Sequence, residues 1–177
     1  IVKRNSDGLL NIINDLLDMS KIEAGMLNYQ IAGTDLNLLC KEVVNDLSTT
    51  TQNDVKLLFK PEKDSFIINT DKQRLRQVIV NLVSNACKFT TKGEITISYK
   101  QVSTDCLEIR VTDTGIGIAT ENIPKLFNRF TKLNSNAKGT GLGLVICKSI
   151  IEHLGGEIGI ESELGKGSSF WFTHPIS

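Results

Sequence analysis

The sequence contains neither a long apolar run nor an excess of charge of either sign. Its apolar stretches stay well below the ~20 residues that a membrane-spanning helix needs, and no signal-peptide pattern is present. Twenty basic residues balance twenty acidic ones, so the cationic character of a general nucleic-acid binder is missing. The first absence excludes a membrane-spanning helix within these 177 residues, and the second argues against nucleic acid as a partner.

Metal-binding patterns of cysteine and histidine are missing as well. The four cysteines, at positions 40, 87, 106 and 147, form no Cys-x-x-Cys pair, and the two histidines do not cluster with them. This spacing argues against a zinc site. Widely spaced cysteines within apolar stretches are typical of small buried side chains in a reducing compartment.

The remaining composition and periodicity are those of a globular chain with helices and strands. It is 40% hydrophobic and 23% charged, and its length suits one domain with a short appendage. Periodicity predicts helices over residues 1–28, 35–50, 71–89 and 142–154, and strands near 55–60, 66–69, 94–102, 106–113, 157–161 and 168–173. Residues 114–140 are rich in glycine and carry no assignment. This order of elements predicts a two-layer α/β sandwich.

The first predicted helix carries an apolar stripe that needs a partner. Leu9, Ile12, Leu16 and Met19 follow one another at spacings of 3, 4 and 3, as in the seam of a helical bundle. A helix with one such apolar side is not stable alone. We therefore expect the chain to self-associate through this stripe. Because the sequence begins at Ile1 inside a helical pattern, we interpret it as part of a longer protein.

A polar stripe runs along the third predicted helix. Arg74, Gln77, Asn81, Asn85 and Lys88 are spaced 3, 4, 4 and 3, which places them on one face, opposite an apolar face. Two asparagines in mid-helix lower the helix propensity without a packing gain. The stripe is either a solvated surface or a binding face. In the second case an asparagine carbonyl suits Mg²⁺ and a lysine suits phosphate.

Two glycine clusters lie where phosphate-binding loops occur. The first, 113–117, follows a predicted strand, and the second, 139–143, precedes a predicted helix, whose N-terminus favours anions. A Rossmann fingerprint is excluded because Thr120 and Leu144 stand where its last glycine belongs, and no Walker A sequence is present. The Asp-Thr-Gly at 113–115 also occurs in aspartic proteases. That alternative needs a homodimer and leaves the polar stripe unexplained.

Taken together, these pieces resemble the histidine-kinase branch of the GHKL ATP-binding superfamily. The match lies in the order and spacing of its motifs: an N box at 81–90, a G1 box at 113–117, an F box at 127–130, a G2 box at 139–144 and a turn at 165–168. Residues 18–25 resemble the end of the second dimerisation helix of these kinases. The resemblance covers nearly the whole chain. It implies a mixed, mostly antiparallel sheet with helices on one face, preceded by one long N-terminal helix.

The resemblance also implies roles for individual residues. Asp113 would accept a hydrogen bond from the adenine amino group, and Asn85 would coordinate a Mg²⁺ ion that bridges the phosphates of ATP. Asn81, Lys88 and Lys132 would act in catalysis, with a lid over about 131–138. The other nucleotide-binding positions would be Phe89, Gly115, Gly117, Lys138, Gly139, Thr140, Gly141, Leu142 and Gly143.

The implied function is that of a sensor histidine kinase. Residues 1–30 would be part of the dimerisation domain and 31–177 the catalytic ATP-binding domain. ATP-hydrolysing relatives carry a glutamate where Asn81 stands, and an amide cannot take a proton from water. The phosphoacceptor histidine is absent, since the contexts of His153 and His174 are those of structural or surface residues. We therefore do not expect this chain to phosphorylate itself.

Three expectations about partners and location follow from the same resemblance. The partners would be the receiver domain of a response regulator and a second copy of the chain, joined through the N-terminal helix. ATP use implies a cytoplasmic site, and membrane anchoring of a longer protein stays open. Two alternatives also stay open: a nucleotide-binding module without kinase activity, and a GHKL kinase directed at serine or another residue.

Overall fold

A computed structural model describes residues 2–131 and 140–177. Within these ranges the helices are α1 (Val2–Glu23), α2 (Leu36–Ser48), α3 (Lys72–Phe89) and α4 (Gly143–His153). The strands are β1 (Ala32–Asp35), β2 (Val55–Lys60), β3 (Ile67–Thr70), β4 (Gly93–Gln101), β5 (Cys106–Asp113), β6 (Ile158–Glu163) and β7 (Gly167–Pro175). A 3₁₀ helix spans Thr120–Lys125. None of the described helices has both the length and the hydrophobicity needed to cross a membrane.

A five-stranded mixed sheet forms one layer of the molecule. Its strand order is β2-β4-β5-β7-β6, with β2 parallel to β4 and the other neighbours antiparallel. Side chains alternate between a buried and a solvent-facing side along β5 and β7, as expected for a sheet that is covered on one face. Helices α2, α3 and α4 pack on the sheet and supply the other layer. The predicted two-layer sandwich is confirmed.

Aspartates cap two of the helices, at the first residues of the predicted segments 35–50 and 71–89. The side chain of Asp35 accepts hydrogen bonds from the first backbone N–H groups of α2, and Asp71 does the same for α3. These caps satisfy donors that have no partner inside the helix. The cap on α3 fixes its first turn, and an apolar face of six buried residues then holds the helix against the sheet: Leu75, Val78, Ile79, Leu82, Val83 and Ala86.

The structure departs from the sequence-based expectation at two elements. Helix α1 ends at Glu23, five residues before the predicted end, because Gly25 adopts a φ of 63° and turns the chain. The N–H of Met26 donates to Lys21 O and that of Gly25 to Ile22 O, which is the Schellman pattern of a helix end. Strand β1 was not predicted; it pairs with β3 in a separate two-stranded antiparallel sheet.

The cysteines are free thiols with two degrees of burial. Cys40 and Cys147 are fully buried in the core, as expected, whereas Cys87 and Cys106 are only partly buried. Burial raises the pKa of Cys40 and of Cys147 to about 12. Both buried thiols therefore stay protonated at neutral pH and act as small apolar side chains.

Candidate functional site

The polar stripe of α3 divides into two halves with different surroundings. In the N-terminal half, Arg74 Nη1 donates to Asp18 Oδ1 at 3.2 Å, and Gln77 Nε2 donates to Asp18 Oδ2 at 2.7 Å. Arg74 Nη1 also donates to Gln77 Oε1 at 2.9 Å. Both side chains therefore bind helix α1. This half of the stripe is neither a solvated surface nor open to a ligand, which neither sequence-based alternative anticipated.

The C-terminal half of the stripe faces the start of α4 and the surface. The amide of Asn81 lies against Gly143, where a β-carbon on the glycine would stand 2.6 Å from Asn81 Nδ2. Asn85 follows one turn later and is partly buried, while Lys88 and Phe89 reach the surface at the end of the helix. Asn81, Asn85 and Lys88 thus follow one another along one face of α3, and Asn81 lies against the N-terminus of α4.

The carboxylate of Asp113 is a buried acceptor at the end of β5. Its Oδ1 accepts the backbone N–H of Gly115 at 2.8 Å, and only 5% of the residue is exposed. Burial raises the pKa of this carboxyl, while the N–H groups of Gly115 and Ser168 favour its charged form and oppose the rise. A β-carbon at Gly115 would meet Asp113 Oδ1 and Thr90 Oγ1, each at 2.8 Å. Only glycine leaves room for this arrangement of polar atoms.

The loop after Asp113 is held in place by hydrogen bonds with strand β6 and with the β6–β7 turn. Gly165 N donates to Ile116 O at 2.7 Å, and Ile118 N donates to Ser162 Oγ at 2.8 Å. Gly117 has a φ of 68°, and a β-carbon there would overlap the carbonyl of Glu163. The second glycine of the G1 box is therefore required by both conformation and space.

The start of α4 brings together several predicted positions of the second glycine cluster. Gly141, with a φ of 73°, lies against the backbone of Phe130, and buried Leu142 precedes the first turn of the helix. Thr140 Oγ1 accepts from Leu142 N at 3.1 Å. The predicted positions Lys132, Lys138 and Gly139, and the predicted lid apart from Thr131, lie outside the described residues.

Three acidic residues of α1 contact this region, and the sequence analysis missed their contacts. Asp15 Oδ2 accepts a hydrogen bond from Thr140 Oγ1 at 2.8 Å, and Glu23 forms an ion pair with Arg129 of the predicted F box. The third is Asp18, described above. The side chain of Lys88 reaches the surface, yet nearby protein atoms desolvate its ammonium and lower its pKa, while the charge of Asp15 acts to raise it.

Both histidines have structural surroundings, as the sequence suggested. The His153 ring stacks on Tyr29, with ring centroids 3.8 Å apart and an interplanar angle of 11°. His174 is 1% exposed; its Nδ1 bonds to Pro175 O, and its Nε2 lies 2.9 Å from Thr70 Oγ1. Burial lowers the pKa of His174, so its ring is neutral in the core.

The chemistry of the site suits a nucleotide with a hard cation. Among the side chains that the structure describes, no three His, Cys, Asp or Glu residues cluster in a way that could hold a metal ion. The oxygen donor of Asn85 suits Mg²⁺, provided that other ligands come from water or phosphate. Asp113 supplies a fixed acceptor for an N–H group, and the N-terminus of α4 supplies a favourable field for an anion.

Comparison with known proteins gives consistent matches. Residues 70–177 match the family of histidine kinase-, DNA gyrase B- and HSP90-like ATPases. The Sensor protein GacS of Pseudomonas syringae pv. syringae is 38% identical over 183 residues, which covers 97% of this chain and 20% of GacS. The chain therefore spans about a fifth of this curated relative.

Two solved structures share the fold. Full-length ShkA in complex with AMPPNP matches with a TM-score of 0.89 and 28% identity, covering 98% of this chain and 37% of ShkA. The histidine kinase ThkA in complex with the response regulator protein TrrA matches with a TM-score of 0.79 and 25% identity. That match covers 100% of this chain and 50% of ThkA. Because the first match extends over nearly the whole chain, it includes α1 as well as the sheet and its helices.

Proposed function

This chain belongs to the histidine kinase-, DNA gyrase B- and HSP90-like ATPase family, and from that premise we propose that it is the catalytic unit of a sensor histidine kinase. It binds ATP with Mg²⁺ and transfers the γ-phosphate to a histidine on a dimerisation helix outside this sequence. The observation that carries the proposal is the buried Asp113 carboxylate, fixed by the N–H of Gly115 at 2.8 Å, with Gly115 and Gly167 packed closely against the residue.

Asp113 recognises the base in this proposal. A buried carboxylate with one oxygen held by a backbone N–H keeps its other acceptor sites in a fixed direction. Adenine presents an exocyclic amino group as donor, whereas guanine presents a carbonyl oxygen at the corresponding position. The acceptor therefore favours adenine, because a carbonyl facing it would leave two acceptors unpaired.

The phosphates lie between the C-terminal half of α3 and the start of α4 in this proposal. Asn85 supplies an amide oxygen to Mg²⁺, and Lys88 supplies a positive charge to phosphate. Thr140 and Gly141 precede the first turn of α4, and Gly143 in that turn lies against Asn81 of α3. The N–H groups at the start of a helix favour an anion, and glycine allows its close approach. When bound there, Mg²⁺ would neutralise charge on the phosphoryl oxygens, with Asn85 as the residue that would help to hold it. We extend the same role to Lys132, Lys138 and Gly139 as predictions.

The side chain at position 81 favours transfer over hydrolysis. Asn81 lies against the start of α4, on the same edge as Asn85 and Lys88. An amide cannot take a proton from an attacking water, so the site binds ATP without a general base at this position. A phosphoacceptor that brings its own nucleophile then reacts in place of water. Because the chain spans about a fifth of GacS, this activity is proposed for a longer protein that contains it.

The proposed partners follow from α1 and from the similar kinases. Of the predicted stripe of α1, Leu16 is 48% exposed, Met19 is buried within the chain, and the side chains of Leu9 and Ile12 lie outside those that the structure describes. The neighbouring Leu10, Ile13 and Leu17 are each between 44% and 57% exposed, which suits packing against other helices of a dimerisation bundle. We propose a homodimer through this face, and a domain boundary near residue 30. The complex of ThkA with a response regulator supports a receiver domain as the second partner. Use of ATP supports a cytoplasmic location for this part of the protein.

Titration of AMPPNP with Mg²⁺ into the wild type and into Asp113→Asn tests the nucleotide site. We expect saturable binding by the wild type that the variant loses, because one acceptor at the base becomes an amide. Asp105→Asn is the matched control, since it makes the same chemical change at an exposed residue. No binding by a folded wild type, or equal binding by the wild type and Asp113→Asn, would contradict the proposal.

A second assay separates a kinase from a nucleotide-binding module without activity. The wild-type chain is incubated with ATP and a separately supplied dimerisation domain that carries the acceptor histidine. We expect acid-labile, base-stable phosphate on that domain, which is the behaviour of phosphohistidine. Nucleotide binding without any transfer would favour the module, and base-labile phosphate would favour a kinase that acts on serine.

A further inference from the structure

The hydroxyl of Thr140 links the candidate phosphate site to helix α1. Thr140 Oγ1 accepts from Leu142 N at 3.1 Å and lies 2.8 Å from Asp15 Oδ2. A threonine hydroxyl has one proton to donate, and an ionised carboxylate can only accept. The single donor of Thr140 is therefore directed at Asp15. A phosphate oxygen that needs this donor must displace the carboxylate.

The charge of Asp15 acts on the same groups that would hold phosphate. It raises the pKa of Lys88 against the effect of desolvation, which means that the carboxylate and the ammonium interact favourably. It also lies at the N-terminal end of α4, where the helix dipole favours one negative charge. Asp15 thus accepts the hydrogen bond of Thr140 and occupies the positive end of the α4 dipole, which are the two features that a phosphate would use. Its negative charge also repels a phosphate from the same place.

Two further acidic contacts hold α1 in the position from which Asp15 reaches the site. Asp18, one turn along the helix, accepts from Arg74 and Gln77, and this ion pair is largely buried, with side-chain exposures of 19% for Asp18 and 21% for Arg74. Glu23 pairs with Arg129 at the end of the helix. Because both contacts lie outside the start of α4, they position α1 without occupying the place where Asp15 meets the phosphate groups.

We propose that Asp15 is an autoinhibitory competitor of the nucleotide phosphates, so that docking of α1 through this residue and binding of ATP oppose each other. This inference rests on the proposed function, because that function defines the phosphate site. Linkage makes the effect reciprocal: docking of α1 weakens nucleotide binding, and nucleotide binding weakens docking of α1 by the same free energy. A signal that moves α1 would thereby change the affinity for ATP.

The variant Asp15→Asn removes the charge while keeping the size and a hydrogen-bond acceptor. We expect AMPPNP with Mg²⁺ to bind about tenfold more tightly to this variant than to the wild type, the scale of one hydrogen bond to a charged group. Adenosine, which has no phosphate, should bind both proteins equally. Asp46→Asn on α2 is the control for loss of one negative charge, because Asp46 pairs with Arg76 on the surface.

The outcomes separate this inference from the proposed function. Unchanged AMPPNP affinity in Asp15→Asn, beside wild-type binding that Asp113→Asn abolishes, overturns the inference and leaves the proposed function standing. Equal tightening for adenosine and AMPPNP also overturns it, since the effect would not involve phosphate. If neither the wild type nor Asp15→Asn binds AMPPNP, both proposals fall.

Hydrogen exchange in the wild type tests the reciprocal effect without any substitution. Amides of residues 10–23 should exchange faster when AMPPNP with Mg²⁺ is bound, and adenosine should have no such effect. This measurement applies even where Asp15→Asn fails to fold. Exchange of α1 that is unchanged or slower with AMPPNP overturns the inference.

Discussion

Gly143 lies so close to Asn81 that a β-carbon on the glycine would stand 2.6 Å from the amide nitrogen and 2.7 Å from the amide oxygen of the asparagine. The first turn of α4 and the middle of α3 therefore approach each other across a polar side chain. In the proposed site this contact fixes the amide of Asn81 next to the phosphates. A small change at Gly143 should alter the position of that amide more than it alters the fold.

The substitution Gly143→Ala tests this relationship. Alanine favours the helix by about 1 kcal/mol over glycine. This gain offsets the cost of rotating the Asn81 amide away from the new methyl group, so the unfolding free energy should change by less than about 1 kcal/mol. Transfer of phosphate to a supplied dimerisation domain should fall on the order of 10- to 100-fold, because Asn81 is displaced. Urea unfolding and the transfer assay measure the two effects. Wild-type transfer by a stable variant would contradict the assigned role of Asn81.

Two glycines with similar backbone angles allow strain and steric overlap to be separated. Gly25 and Gly117 have φ values of 63° and 68°, but a β-carbon at Gly25 would meet nothing within 4 Å, whereas one at Gly117 would overlap the carbonyl of Glu163. We expect Gly25→Ala to cost roughly 1–2 kcal/mol, the cost of the left-handed conformation. Gly117→Ala should cost roughly 2–5 kcal/mol, because backbone must also move. Equal losses in urea unfolding would show that the overlap relaxes freely.

Local sequence signals predicted the elements whose causes are local. Asp35 and Asp71 precede apolar periodic segments, and both cap helices in the structure because a carboxylate can reach the next N–H groups along the chain. The apolar face of α3 follows from its period. The glycine clusters could be recognised together because their order along the chain is itself a sequence property.

Long-range pairing explains what the sequence could not predict. Strand β1 has four residues and pairs with β3, which begins more than thirty residues later, so no local pattern selects that partner. The apolar stripe of α1 was visible in the sequence, but the contacts of Asp15 and Asp18 depend on how α1 lies against α3 and α4. The spacing of three between Asp15 and Asp18 places them on one face of α1, but it does not indicate which residues they contact until the packing of α1 is known.

A buried hydroxyl without a partner predicts a stabilising substitution. Thr96 on β4 is 9% exposed, and its Oγ1 has no hydrogen-bond partner among the described residues. Valine has the same shape and removes the polar group, so Thr96→Val should raise the unfolding free energy by about 1 kcal/mol. Thr112→Val is the control, because Thr112 Oγ1 lies 2.8 Å from Ser169 Oγ on the exposed face. A destabilised Thr96→Val would mean that the Thr96 hydroxyl has a stabilising partner.

Because Asp113 is a buried carboxylate, the group that recognises the base should also lower the stability of the nucleotide-free protein. Burial raises the pKa of Asp113 above its ordinary value of 3.8, so the folded state holds this proton more tightly than the unfolded state does. The resulting stabilisation is fully present below that ordinary pKa and is lost as the pH rises through the raised pKa. At pH 7 the ionised group is therefore a net cost to the nucleotide-free protein.

Replacing Asp113 with asparagine should consequently raise the melting temperature of the nucleotide-free protein at pH 7 while abolishing AMPPNP binding. The amide keeps an oxygen that can accept from Gly115 N, and it carries no charge to desolvate. Melting temperatures of the wild type, Asp113→Asn and Asp105→Asn between pH 4 and 8 measure the effect. The gain of Asp113→Asn over the wild type should shrink as the pH falls toward 4, whereas Asp105→Asn should follow the wild type. A lower melting temperature for Asp113→Asn at pH 7 would mean that the hydrogen bonds of the carboxylate outweigh its desolvation, and that base recognition is obtained at no cost to the fold.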